Sequence, residues 1–132
     1  MADTMQFDLV SPERRLASVQ AREVRIPGAD GDLTAMPDHS PLITTLRPGI
    51  LTVVTVEGMN DYAVIGGFAE ISAAGASVLA ERAMPKAEVK ASDMDALIAD
   101  ATAEVAEAPA EGKDAANKLV ADLQALKAAL GL

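Results

Sequence analysis

Apolar and polar residues change rhythm once along this chain, near Met84-Pro85. Before that point the period is two. Phe7 and Leu9 alternate with Asp8, and Val24 and Ile26 alternate with Arg25. Alternation of this kind predicts strands with one buried face. Two longer runs, Ile50 to Gly58 and Tyr62 to Ser72, flank Gly58-Met59-Asn60-Asp61, which reads as their hairpin connection. Ser11-Pro12 ends one strand, Pro48-Gly49 starts another, and Gly75 turns the chain into Ala76 to Glu81. Many short strands between turns predict a β-sandwich or flattened barrel. Gly66-Gly67 interrupts a strand, which marks a bulge or a close backbone approach.

After Pro85 the period becomes helical. Met94, Leu97, Ile98, Ala101 and Val105 predict one amphipathic helix, with Ser92 as its cap. Ala108-Pro109-Ala110-Glu111-Gly112 breaks the run. Leu119, Leu123, Leu126 and Leu130 predict a second helix. So short a connection makes the two antiparallel neighbours. Their stripes are mostly alanine with a few leucines, so the hairpin buries little by itself and can detach from the sandwich. All six arginines precede the change of rhythm and all five lysines follow it. The division expected is therefore 1–85 for the sandwich and 86–132 for the hairpin.

Composition removes several functions. The formal charge is −9, which disfavours nucleic acid, a ligand that demands clustered Lys and Arg. There is no cysteine, so disulfides and thiolate metal sites are excluded. No run approaches the ~20 apolar residues of a spanning helix, and the hairpin lacks the basic face of a helix that lies in lipid. No secretory pattern opens the chain, so the expectation is a soluble, intracellular protein without direct lipid insertion.

The densest chemistry is Gly28 to Pro41, "GADGDLTAMPDHSP", with the single histidine His39 and three aspartates. An EF-hand alignment from Asp30 places Ala35 where the loop needs glycine and Pro41 where it needs a bidentate glutamate. Transition metals need several convergent His or Cys ligands. His39 is better read as a hydrogen-bonded structural residue. Ser11, Ser40 and Thr44 have no catalytic serine signature around them. Catalytic residues, metals and cofactors are all expected to be absent, and the residues point to a binding or structural module.

The order of five short motifs is more specific than any one of them. They are Ser11-Pro12-Glu13, Pro27-Gly28 with Gly31-Asp32, Pro37 to Leu42, Pro48-Gly49 and Gly66 to Glu70. In this order and spacing the chain resembles the epsilon subunit of bacterial-type F-type ATP synthases. The resemblance implies a ten-stranded β-sandwich followed by an antiparallel two-helix hairpin. It implies a non-catalytic central-stalk subunit of a proton-translocating ATP synthase, which couples c-ring rotation to ATP synthesis through the gamma subunit. The expected place is peripheral, on the cytoplasmic face of the bacterial plasma membrane.

By the same resemblance, Ala29, Asp30, Gly31 and Asp32 face the c-ring. Ser11, His39, Ser40, Pro41 and Leu42 face gamma, and the hairpin can reach the alpha and beta subunits. The alternative role is an ATP-sensing inhibitor of hydrolysis that acts through the hairpin; a third reading is a small β-domain binding a ligand in its Asp-rich loop. Family members that bind ATP carry an I/L-D-x-x-R-A segment. The matching run here is Met94 to Ala99, with Ile98 in place of the arginine, so no ATP site is expected. Residues 86–132 hold five lysines against nine acids, a net −4 that weakens docking on an acidic head. Thr34 stands where the family commonly has glycine, so the backbone of that turn is expected to differ if it needs positive φ.

Overall fold

Eight strands and two helices follow one another in the computed structural model, which describes residues 3–132. The strands are β1 (Met5–Val10), β2 (Arg15–Ala21), β3 (Glu23–Gly28), β4 (Gly31–Ala35), β5 (Leu42–Thr45), β6 (Gly49–Thr55), β7 (Gly58–Ile71) and β8 (Gly75–Pro85). The helices are α1 (Ala91–Glu107) and α2 (Lys113–Ala129). The hydrogen-bonded path is β2-β1-β8-β7-β6-β3-β4, with β5 also beside β7. β1 and β8 run parallel; the other neighbours are antiparallel.

Two strands are long enough to serve two layers. The first half of β7 pairs with β6 and its second half with β5. β8 pairs with β1 only through Gly75 to Leu79. One layer is therefore β4, β3, β6, the first half of β7 and the second half of β8. The other is β2, β1, the first half of β8, the second half of β7, and β5. Eight continuous strands supply the ten strand segments of the sandwich, because β7 and β8 each bend and serve both layers.

The bend sits at Gly66-Gly67, with φ of 71° and 99°. The register is the same at Ile65↔Arg82 and Gly67↔Ala80, with one residue skipped on each strand between them, so no extra residue is bulged out. A Cβ on Gly67 would lie 2.0 Å from the Leu79 carbonyl oxygen. The glycine pair thus provides a close backbone approach, not a bulge. The β6–β7 turn is tighter and earlier than the sequence suggests. Thr55 pairs with Gly58, so the loop is Val56-Glu57. Asp61 lies within β7, where its carboxylate accepts a 2.6 Å hydrogen bond from the Thr52 hydroxyl. Thr34 lies inside β4, and the positive φ of this region falls on Gly31 and Asp38 instead.

Between the layers lies an aliphatic core around Phe7, Leu9, Val24, Ile26, Leu51, Val53, Val64, Ile71 and Val78, each at most 1% exposed. A second cluster joins the hairpin to the outer face of the first layer. Met94, Ala101, Leu123 and Leu126 are buried there with Ala63, against half-buried Ile50, Ile65 and Met84. Full burial of each large side chain contributes about 1.5–3 kcal/mol, so a few residues carry this docking. Val105 is only half-buried and lies outside the cluster.

α1 starts earlier than a Ser92 cap would allow. Lys90 is the N-cap residue, and its backbone N–H donates to the Asp93 carboxylate at 3.0 Å. Val89 before the cap and Met94 in the next turn are buried in the same cluster. That pair forms a hydrophobic staple and fixes the angle at which the chain leaves the sandwich. The Lys113 ammonium donates to the Val105 carbonyl at 2.9 Å and closes the C-terminal end of α1. Asp95 and Lys127 pair across the two helices at 2.7 Å.

Gly67→Ala should be among the most damaging single changes. Both the positive φ and the contact with Leu79 oppose it, at about 2–4 kcal/mol. Gly112→Ala, whose Cβ would meet only Pro109 at 3.6 Å, is the control. Chemical denaturation of the two variants checks this; equal midpoints would disprove the role given to Gly67.

Candidate interaction surfaces

The β3–β4 connection is a stiff projection. Gly28 pairs with Gly31, which leaves Ala29-Asp30 as a two-residue tip. Gly31 has φ 140°, a conformation that favours glycine. The tip is tied back by three bonds. Ala29 N–H donates to Thr45 carbonyl at 2.8 Å, Arg47 N–H to Pro27 carbonyl at 3.1 Å, and the Arg47 guanidinium to Gly28 carbonyl at 2.6 Å. The same guanidinium pairs with the Asp32 carboxylate. Of the four ring-facing residues expected from the sequence, Ala29 is half-buried and Asp30, Gly31 and Asp32 are exposed. Asp30 makes no ion pair among the described residues, so it presents the free charge, while Asp32 helps to hold Arg47.

The β4–β5 loop carries most of the other expected contacts. His39 N–H donates to Met36 carbonyl at 3.1 Å and closes a turn over Pro37-Asp38. Asp38 takes φ 65°, the one positive φ of a non-glycine among the described residues. Its N–H donates to Ala73 carbonyl at 3.3 Å, which ties the loop to the β7–β8 turn. His39 is half-buried and its Nδ1 lies beside the Ser40 carbonyl, while Ser40, Pro41 and Leu42 are exposed. Ser11 is buried at the end of β1, where its hydroxyl and N–H both bond the Arg14 carbonyl. Ser11 and the His39–Leu42 segment are not brought together. Both border the second layer, with β8 and β7 between them.

Between those borders lies a surface that reading the chain by motifs missed. Phe68, Leu79 and Ile43 are 43%, 48% and 69% exposed on the outer face of the second layer. Phe68 is paired with Leu79, and Leu79 with half-buried Val10. A signal was present: Phe68 and Glu70 alternate with buried Ala69 and Ile71, and Leu79 and Glu81 with buried Val78 and Ala80. A strand's period of two therefore turns the apolar Phe68 and Leu79 to the polar side.

The crevice between α1 and the first layer suits phosphate poorly. It is lined by Arg82, Ser92, Asp93, Met94, Leu97 and Asp100 among others, two carboxylates to one guanidinium. Ile98 packs into the hairpin cluster as an apolar residue. Among the described residues, no group of three or more His, Asp or Glu side chains could hold a metal ion, and no helix is long and apolar enough to cross a membrane.

A family model described as the ATP synthase, Delta/Epsilon chain, beta-sandwich domain matches residues 4–86. The chain is 65% identical over 131 residues to the ATP synthase epsilon chain of Fuscovulum blasticum, covering 99% of each. The chain belongs to the epsilon-chain family of ATP synthases. The ATP synthase epsilon chain of Rhodobacter capsulatus is 56% identical, with 100% of both chains covered. Among solved structures, a Euglena gracilis mitochondrial ATP synthase (OSCP/F1/c-ring) contains a chain with the same fold. Its TM-score is 0.76 at 19% identity, covering 98% of this chain and 83% of that one. A Tetrahymena thermophila mitochondrial central stalk/c-ring structure matches with a TM-score of 0.55 at 19% identity, over 66% of this chain and 70% of that one.

Asp38→Gly should stabilise the fold by about 0.5–1 kcal/mol, because glycine adopts positive φ without steric penalty. Thermal unfolding should show a midpoint higher by a few degrees, and Asp38→Val a lower one. A lower midpoint for Asp38→Gly would show that the Asp38 side chain earns its place.

Proposed function

We propose that the chain is a non-catalytic central-stalk subunit of a proton-translocating ATP synthase and couples rotation of the membrane c-ring to ATP synthesis through gamma. The observation that carries this reading is membership of the epsilon family over the whole chain, with 99% of a curated relative covered at 65% identity. The architecture supports it mechanically. A rotor part must transmit torque without bending, and a two-layer sandwich with cross-tied turns is stiff.

The Ala29–Asp32 projection is the c-ring contact in this proposal, with Asp30 and Asp32 meeting the polar loops of the ring. Ser11 and the segment His39, Ser40, Pro41, Leu42 flank the gamma contact. The hairpin, residues 86–132, is the part available to alpha and beta; residues 1–85 hold the rotor contacts. The subunit is peripheral, on the cytoplasmic face of the bacterial plasma membrane. An ATP-sensing inhibitor is the weaker reading, because Ile98 fills an apolar site where a phosphate contact is needed and the hairpin region carries a net −4.

Size exclusion with a gamma-containing catalytic core tests the role. The full chain should co-elute, and Asp30→Ala should keep that binding while weakening association with c-rings by about tenfold. A chain that does not co-elute with the core is not this subunit. Magnesium ATP should leave the thermal midpoint of the isolated chain unchanged; a rise of several degrees would restore the sensor reading.

A further inference from the structure

The outer face of the second layer has no helix on it, unlike that of the first, and its side chains form ordered rows. Directly paired residues share a face. One row runs Val10, Leu79, Phe68, Thr45 across β1, β8, β7 and β5. The next runs Asp8, Ser77, Glu70, Ile43 across the same strands. On the other side of the apolar row stands Glu81, whose carboxylate lies over Gly66, where a Cβ would meet it at 2.6 Å. The apolar row is thus bracketed by Glu81 on one side and by Asp8 and Glu70 on the other. The cation of these rows is Arg15, at the far edge on β2 beside Val10.

Between Asp8 and Glu70 sits only Ser77. The strands that carry the two acids are two spacings apart, about 10 Å between their backbones, with this small residue between them. The depression there is about 280 Å³ and is floored by Ser77, Gly75 and Ala76. A second depression of about 380 Å³ lies along Ser11, Pro12, Phe68 and Leu79. Neither Glu70 nor Glu81 has an ion pair or side-chain hydrogen bond among the described residues. Asp8 accepts only a 3.3 Å bond from the Gln6 amide.

We infer that this face receives a partner segment with an apolar ridge flanked on both sides by basic side chains. The apolar ridge seats over Phe68 and Leu79, one basic group enters the Ser77 depression between Asp8 and Glu70, and another meets Glu81. This rests on the stalk reading above, and assigns that chemistry to the surface gamma presents to this subunit. The acids also act against the wrong occupant. A second copy of the chain would set like charges against each other across the same apolar row, which costs affinity.

The test is binding of the full chain to a gamma-containing core that lacks this subunit, titrated from 50 to 500 mM salt. Wild-type affinity should fall about tenfold over that range, as screening weakens the charge pairs. The double variant Asp8→Asn, Glu70→Gln changes one half-buried and one exposed side chain nearly isosterically, so it should keep the wild-type thermal midpoint. It should lose about fivefold or more in affinity at low salt and show a flatter salt dependence. Phe68→Ala should weaken binding at every salt concentration and leave the slope unchanged. A double variant with wild-type affinity and slope overturns the basic-flanked partner. If Phe68→Ala still weakens binding in that case, the stalk reading survives and only the charge assignment fails. Wild-type chain that does not bind overturns both. A salt-resistant dimer of the isolated chain, abolished by Phe68→Ala, also overturns the inference in favour of self-association.

Discussion

At Gly67 the backbones of β7 and β8 come too close for any side chain to stand between them. This contact is what lets two continuous strands pass from one layer to the other while they stay paired. Because they stay paired, one aliphatic core is closed by both layers, and few long connections cross its ends. The β5 edge and the hairpin platform inherit their positions from that crossing. The β5 edge, with Leu42 at its start, is attached to the second half of β7. The platform for the hairpin, at Ala63 and Ile65, is attached to the first half.

The same crossing divides labour between the outer faces. The first layer's face is apolar enough, at Ile50, Ala63, Ile65 and Met84, to take the hairpin. The second layer's face keeps its apolar row uncovered and surrounded by acids. One face is thus covered within the chain and the other is left uncovered. Hairpin docking rests on large side chains such as Met94, Leu97, Ile98, Leu123 and Leu126, with Ala101 the one helix alanine in the cluster, so the stripe is less alanine-rich where it packs than the sequence suggests. The Val89–Met94 staple and the Asp95–Lys127 pair set its direction and cohesion more than they add to its stability.

The β3–β4 projection is marked by rigidity more than by special chemistry. Backbone bonds from Ala29 and Arg47, together with the Arg47 guanidinium, hold a two-residue tip against the β5–β6 connection. The acidic run around His39 therefore resolves into two unrelated turns separated by β4. His39 closes one of them through its backbone, and among the described residues no ligand set surrounds its ring.

Periodicity and turn chemistry by themselves determined the change from strands to helices near Pro85, most of the strands and both helices, because these depend on residues near one another in sequence. Motif order determined the family for the same reason: turn glycines and prolines record local backbone demands. Tertiary structure decided what depends on contacts between distant residues. Gly66-Gly67 reads equally as bulge or close approach until β8 is seen against it. Ser92 reads as a cap until Val89 and Asp93 are seen to start the helix earlier. Phe68 and Leu79 lie in predicted strands whose inward face reading by motifs leaves unassigned. The pairing of β7 with β5 and of β8 with β1 shows that Ala69 and Val78 fill the interior and that the larger side chains, in phase with Glu70 and Glu81, face outward, since a strand's neighbours decide which of its faces is buried.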